Sequence, residues 1–175
     1  YDEYGPTEAT VGASLMEKNG DFNSCIGKPY HNYTAYVLNQ RLSPAPIGAI
    51  GELYIGGAGL ARGYLNQPEL TKERFIANPF GEGRLYKTGD LVRWLPDGNL
   101  EYNGRNDSQV KVRGYRIELG EIESALRQYA DVSEAVVQVF EDTLITYIVA
   151  REFTPSITEL DEFLIDILPE YMIPA

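Results

Sequence analysis

The sequence predicts an α+β protein in two parts, one strand-rich over residues 1–106 and one smaller over residues 107–175. In the first part, short segments of alternating apolar and polar residues are separated by Gly and Pro turns, a pattern typical of antiparallel strands. In the second part, helical periodicity alternates with two strand-like segments. The polar stretch Arg105–Asp107 separates the two patterns, and we place the domain boundary there.

The first part contains four clear strand patterns. Between the last two, Pro96–Asn99 has the composition of a hairpin turn. Pro68 begins a short helix that ends near Phe75, because Pro is well tolerated in the first helical turn. The predicted strands lie near 33–39, 50–56, 85–94 and 100–103.

The second part alternates helices and strands. Leu119, Ile122 and Leu126 lie on one face of a helix predicted over 118–129. Strands follow over 135–140 and 144–150, and a second helix covers 158–168. Ser156 and Glu159 have the spacing of a capping box at the start of that helix.

Composition excludes several function classes. The net charge of −11 argues against nucleic acid or an anionic membrane surface as a partner, and no apolar run is long enough to span a membrane. The single cysteine, Cys25, rules out an internal disulfide framework and fits a reducing, cytoplasmic compartment. One cysteine and one histidine, His31, cannot build a zinc site. We expect Cys25 to be a packing residue and His31 a loop residue.

Three motifs carry candidate chemistry, and each allows a purely structural interpretation. In Tyr4-Gly5-Pro6-Thr7-Glu8, the Thr7 hydroxyl could contact a phosphate and the neighbouring Glu8 carboxylate could bind Mg²⁺. Alternatively, Thr7 simply caps a helix. Asp90 follows a glycine break, where it could accept ribose hydroxyls or serve as a turn residue. The stretch 100–123 is either a charged hinge or a solvated hairpin before a surface helix.

Taken together and in order, these motifs resemble the adenylation domain of nonribosomal peptide synthetases, a family within the adenylate-forming enzymes. The resemblance covers essentially the whole chain. It implies the tail of a large domain, chiefly a distorted β-barrel, followed by a small α+β domain. The segments that carry it are 4–8, 51–57, 61–66, 74–80, 86–91, 104–123 and 168–174.

The resemblance implies a two-step reaction. An amino acid and ATP give aminoacyl-AMP and pyrophosphate, and the aminoacyl group then passes to the phosphopantetheine thiol of a peptidyl carrier protein. Mg²⁺ would assist the first step, because an anion attacks a phosphate. The product class would be peptide antibiotics.

By resemblance, the nucleotide residues can be assigned one by one. Thr7 matches a phosphate contact and Glu8 the Mg²⁺ ligand. Asp90 matches the residue that holds the ribose hydroxyls, and Arg105 matches an arginine that contacts ribose and phosphate. The remaining nucleotide contacts are Tyr4 and Gly5 of the first motif, Tyr102 packing on adenosine, and Asp2 near the adenine amino group, where the family usually has Asn.

Further assignments concern the substrate and the second half-reaction. Glu3, Val11 and Gly12 match pocket-lining positions, and a pocket glutamate that accepts from a carboxamide points to asparagine. Asp107 matches the hinge about which the small domain rotates. Lys111 and Gly114 match the face presented for thiol transfer.

The resemblance also implies that parts of the site lie outside residues 1–175. The family's catalytic lysine follows the closing Met-Ile-Pro motif, and its phosphate loop and amino-group aspartate precede Tyr1. We therefore expect a fragment that does not adenylate by itself. The alternatives are an acyl-CoA ligase, against which segment 61–80 argues, and a non-catalytic docking fragment.

Overall fold

Two compact units, Tyr1–Asn106 and Asp107–Ala175, make up the chain. The structure is a computed structural model that describes residues 1–17 and 24–174. The expected small domain ends at Ala175, which lies outside the described residues. The assignment of these units to the end of a large domain and to a small domain stays a prediction. The expected α+β class is confirmed by strands and helices in both units.

Within its described residues, the first unit is an antiparallel sheet of eight strands with one short α-helix, α1, over Pro68–Arg74. The sheet order is β1-β2-β3-β8-β7-β5-β4, with β6 paired to β7. The strands are β1 Asp2–Tyr4, β2 Ser14–Met16, β3 Cys25–Pro29, β4 Tyr33–Leu38, β5 Gly51–Gly57, β6 Phe75–Ala77, β7 Arg84–Trp94 and β8 Leu100–Arg105.

The four strands expected from alternation are therefore present as β4, β5, β7 and β8. The short strands β1, β2, β3 and β6 were not predicted, because three to five residues are too few to show a period. Cys25 is buried with its Sγ 3.5 Å from Met16 Sδ, and His31 lies in an exposed turn, both as expected.

A bulge in β7 shapes the centre of the sheet. Leu53 of β5 faces the three-residue segment Thr88–Asp90 of β7, so β7 contains two more residues than its partner at this point. Gly89 adopts a positive φ of 79° in the bulge, a conformation that glycine reaches without strain. The flanking pairs are Glu52 with Leu91 and Tyr54 with Lys87.

A buried apolar cluster on one side of the sheet holds the first unit together. Val37, Leu53, Ile55, Val92 and Leu100 are each at most 3% exposed. The only tryptophan of the sequence, Trp94, packs against this cluster. The cluster fixes β7 and β8 and with them the residues of the candidate site.

The second unit places two helices and two hairpins around one apolar core. Its elements are β9 Gln109–Val112, β10 Tyr115–Glu118, α2 Leu119–Leu126, β11 Val132–Phe140, β12 Thr143–Ala150 and α3 Ile157–Ile165. Both helices are shorter than predicted. The capping box at the start of α3 is confirmed, because Ser156 Oγ accepts from the Glu159 backbone N–H and Glu159 accepts from the Ser156 N–H.

One apolar cluster forms the core of the second unit. Ile117, Ile122, Leu126, Val132 and Leu164 are each at most 1% exposed. No helix within the described residues is long and apolar enough to cross a membrane.

Candidate active site

The first candidate segment is a tight loop that joins β1 to β2. The Tyr4 carbonyl accepts from the Ala13 N–H at 2.8 Å, which closes the loop at its base. A Cβ on Gly5 would lie 2.2 Å from the Val11 carbonyl oxygen, so only glycine fits where the two arms approach. The motif therefore has glycine at this position because of backbone packing.

Thr7 and Glu8 lie in a single turn of 3₁₀ helix, Thr7–Ala9, within this loop. Pro6 is the N-cap residue, and no side chain caps the turn. The interpretation of Thr7 as a helix cap is therefore wrong. The Thr7 side chain is exposed, which keeps its hydroxyl accessible to a ligand.

Glu8 is half-buried, and its position is set by the segment that follows β5. Its backbone carbonyl accepts from the Ala61 N–H at 2.8 Å. Its carboxylate Oε1 accepts from the Tyr64 hydroxyl at 2.7 Å. Two contacts from one segment thus orient both the backbone and the side chain of Glu8.

Asp90 is the centre of a second group of polar side chains and is only 6% exposed. Its Oδ1 lies 2.5 Å from Nη1 of Arg105, which faces it across the β7–β8 pair. Its Oδ2 accepts a hydrogen bond from the Tyr4 hydroxyl. Burial, and next the nearby Asp90 carboxylate, raise the pKa of Tyr4 well above its ordinary value, so the phenol remains a proton donor.

Thr88 organises this group and was missed by the sequence analysis. Its hydroxyl donates to the Leu53 carbonyl at 2.8 Å and accepts from the Asp90 N–H at 3.0 Å. Its carbonyl accepts from Nη2 of Arg105 at 3.0 Å. The one feature of the sequence that could have identified Thr88 is the Thr-Gly-Asp break in a long strand. A bulge disrupts the ladder of backbone hydrogen bonds at such a break, and a threonine hydroxyl can bond to the backbone groups there.

Tyr102 and Asp2 lie on strands of the same sheet. Tyr102 is on β8, paired with Val92, and packs against the apolar cluster of the first unit. Asp2 is exposed on β1 and lies opposite Met16.

Glu3 and Gly12 of the expected substrate pocket are brought together. A Cβ on Gly12 would lie 1.7 Å from Glu3 Oε1, so the glutamate lies directly over the glycine. The same Oε1 accepts from the Tyr30 hydroxyl at 2.8 Å, and this bond is the main cause of the raised pKa of Tyr30. Val11 is 74% exposed and has a φ of 69°, a conformation that is costly for a β-branched residue.

The remaining predicted residues lie in the second unit. Asp107 is its first residue, and the Asp107 Oδ1 accepts from the Gln109 N–H at 3.2 Å. Lys111 is exposed on β9, opposite Arg116 of β10. Gly114, with a φ of 85°, forms the turn between these strands.

Potential metal ligands do not form larger clusters in the described part of the chain. Within residues 1–17 and 24–174, no three His, Cys, Asp or Glu side chains converge as a metal site would require. A Mg²⁺ ion bound here would be held by one or two protein oxygens, with nucleotide phosphates and water completing the shell, which is its usual arrangement in nucleotide enzymes.

Comparison with known proteins agrees with this geometry. The family model described as AMP-binding enzyme matches residues 1–65. A linear gramicidin synthase of Brevibacillus parabrevis is 60% identical over the whole chain, and bacitracin synthase 2 of Bacillus licheniformis is 54% identical over 99% of it. The chain spans only about 2% and 7% of those two proteins.

Solved structures show the same fold. IdnL1 superimposes with a TM-score of 0.86 at 27% identity, over 98% of this chain and 37% of its own. NpsA-ThdA from Klebsiella oxytoca, an artificially fused adenylation–PCP di-domain, has a TM-score of 0.77 at 34% identity, over 97% of this chain and 34% of its own.

The fold, the loop between β1 and β2 and the comparisons point first to a class of protein, because residues 1–65 match the AMP-binding enzymes. Within that class, identities of 54% and 60% over nearly every residue place it with the nonribosomal peptide synthetases. The chain is part of an adenylation domain of that family.

Proposed function

We propose that these residues form part of the active site of an amino-acid-activating domain. The domain joins an amino acid to ATP, giving aminoacyl-AMP and pyrophosphate, and passes the aminoacyl group to the phosphopantetheine thiol of a carrier protein. The single observation that carries the proposal is the buried carboxylate of Asp90, aligned by Arg105 and Tyr4.

Asp90 would receive the ribose of ATP. Bonds from Tyr4 and Arg105 orient the carboxylate, and a carboxylate held in this way is a suitable acceptor for ribose hydroxyls. Because the carboxylate is already buried and ordered, nucleotide binding requires little further ordering of this side chain. Tyr102 would pack on the adenosine, and Asp2 would accept from the adenine amino group.

Thr7 and Glu8 would face the phosphates. The exposed Thr7 hydroxyl supplies a hydrogen-bond donor, and the Glu8 carboxylate supplies the hard oxygen that Mg²⁺ prefers. A Mg²⁺ ion held by Glu8 would supply positive charge to offset the charge of the phosphates in this reaction, in which the amino-acid carboxylate displaces pyrophosphate from the α-phosphorus. Arg105, which contacts Asp90, provides a fixed positive charge beside the nucleotide.

The side-chain pocket of the amino acid would be formed in part by Glu3, Val11 and Gly12. Glycine at position 12 leaves room for the Glu3 carboxylate, and Tyr30 holds that carboxylate in place. A fixed carboxylate accepts from a carboxamide NH₂ and repels an acidic side chain, and we propose asparagine as the substrate.

The second half-reaction would use the second unit. Asp107 is the first residue after the division between the units, where a hinge would lie. The hairpin β9–β10 presents Lys111 and Gly114 at its surface, where a phosphopantetheine arm could reach them.

The test is amino-acid-dependent ATP–pyrophosphate exchange by the complete adenylation domain that contains this chain, screened over the standard amino acids. We expect exchange with asparagine above all others, and none with the 175-residue chain alone. Exchange with a different amino acid would overturn only the substrate. Exchange with aryl or fatty acids, followed by transfer to free CoA, would instead indicate an acyl-CoA ligase.

A further inference from the structure

We propose that Tyr64 is a positioning residue for the Glu8 carboxylate and thereby sets the affinity of the site for its divalent cation. This inference rests on the proposed function, in which Glu8 is the metal ligand. Tyr64 lies 56 positions away in the sequence, yet its hydroxyl donates to Glu8 Oε1 at 2.7 Å.

Tyr64 is itself held on both sides. Its backbone N–H donates to Thr71 Oγ1 at 2.8 Å, and that hydroxyl donates to the Gln67 carbonyl at the start of α1. Its ring meets the Phe75 ring edge-on, with the centroids 5.7 Å apart. A Cβ on Gly63 would lie 2.3 Å from Thr71 Cγ2, so the chain before Tyr64 passes tightly against the helix. These contacts fix the backbone and the ring of Tyr64, and with them the position from which its hydroxyl bonds to Glu8.

The backbone around Glu8 is fixed by other contacts. Ala61 donates to the Glu8 carbonyl, and the Thr10 hydroxyl donates to the Gly59 carbonyl at 2.6 Å. The Tyr33 hydroxyl donates to the Ala9 carbonyl at 2.7 Å. Tyr64 adds the hydrogen bond that orients the carboxylate itself.

Tyr64 is suited to this role because its hydroxyl is a hydrogen-bond donor placed 2.7 Å from a carboxylate oxygen of Glu8. A hydrogen bond donated to one carboxylate oxygen orients the Glu8 side chain before the metal binds. Metal binding then costs less conformational entropy, because fewer side-chain rotamers remain to be restricted. Partners of metal-binding carboxylates commonly change metal affinity by about 10-fold to 100-fold.

The test compares Tyr64→Phe with Tyr33→Phe in the complete adenylation domain. Both variants lose one tyrosine hydroxyl that bonds to the same 3₁₀ turn, but only Tyr64 reaches a carboxylate. Binding of Mn²⁺ is measured by electron paramagnetic resonance with ATP present and the amino acid omitted, so that no turnover is needed. ATP affinity is measured in parallel without any divalent cation.

We expect Tyr64→Phe to weaken Mn²⁺ binding roughly 10-fold while metal-free ATP affinity stays unchanged. Tyr33→Phe should change neither. Equal losses in both variants, or a loss of metal-free ATP affinity, would mean that Tyr64 supports only the fold and would overturn the inference.

Glu8→Gln separates this inference from the proposed function. If Glu8→Gln abolishes Mn²⁺ binding and Tyr64→Phe leaves it intact, the positioning role fails while the metal assignment stands. If Glu8→Gln leaves Mn²⁺ binding unchanged, Glu8 is not the ligand and both fail.

Discussion

The two units hold their candidate functional residues in opposite ways. In the first unit, Asp90 is 6% exposed and receives hydrogen bonds from Tyr4 and Arg105 within the sheet. In the second unit, an apolar cluster forms the core, and Lys111 and Gly114 lie exposed on a two-stranded hairpin. The first arrangement suits a small ligand that needs fixed partners. The second suits a partner that arrives from outside.

The comparison also explains where each unit is vulnerable. Removal of one partner of a buried ion pair lowers the free energy of unfolding by several kcal/mol, because the other charge stays buried without compensation. An apolar core loses stability through cavities. The candidate site of the first unit should therefore be sensitive to loss of charge, and the core of the second unit to loss of volume.

The largest effect is expected for Asp90→Ala. The variant leaves the Arg105 guanidinium, whose side chain is 16% exposed, without its carboxylate. We expect a loss of about 3–5 kcal/mol in the free energy of unfolding. Urea denaturation followed through Trp94 fluorescence measures it, because Trp94 packs on the core of this unit.

Glu101→Ala is the matched control for Asp90→Ala. Glu101 pairs with Arg93 across the same two strands, but the two side chains are 23% and 39% exposed. A solvated pair contributes at most about 1 kcal/mol. Equal losses in the two variants would show that burial of the Asp90 pair is not what matters.

Ile122→Ala tests the second unit in the same way. Ile122 is fully buried in α2, and truncation should cost about 2–5 kcal/mol. Faster amide hydrogen exchange in α2 and β11 would show this loss of stability. Ile122→Val, which removes one methylene, should cost about 0.5–1.5 kcal/mol, and a reversed order would contradict a volume-sensitive core.

A smaller effect is expected at the start of α3. Ser156→Ala removes the side-chain half of the capping box and should cost about 1 kcal/mol of helix stability. Amide exchange within α3 measures it. Ser156→Thr keeps the hydroxyl, which can accept from the Glu159 N–H and donate to the Glu159 carboxylate, and it should restore protection, whereas no recovery would argue against capping as the cause.

The smallest effect is a pH dependence at the same cap. Hydrogen bonds from the Ser156 backbone, and then from its side chain, lower the pKa of Glu159 in the folded chain. A lowered folded-state pKa means that the stabilisation is present above the ordinary glutamate pKa, about 4.3, and is lost as pH falls through the folded value. Amide exchange in α3 as a function of pH measures it, and Glu159→Gln should flatten the profile.

The sequence was most informative where one pattern ran long enough to show its period. The strand at 85–94 was predictable in this way, as was the capping box. The end of α2 was not, because the chain between Leu126 and Val132 has no Gly or Pro to mark it. Instead, the Gln128 and Tyr129 N–H groups bond three residues back and tighten the last turn.

The candidate site was predictable as a set of residue types but not as a network. The motifs identified Asp90 and Glu8, whereas the roles of Thr88 and Tyr64 depend on contacts over 35 and 56 positions. Such contacts leave no local pattern. They follow only from the register of β5 and β7 and from the segment after β5.

The bulge in β7 has a consequence for insertions and deletions. Because the segment Thr88–Asp90 adds an even number of residues opposite Leu53, the pleat has the same phase before and after it. Deletion of Gly89 alone would move the side chains of one half of β7 to the opposite face of the sheet. Deletion of two of these residues would keep the sheet and remove only the polar cluster around Asp90, so length variation at this point should occur in steps of two.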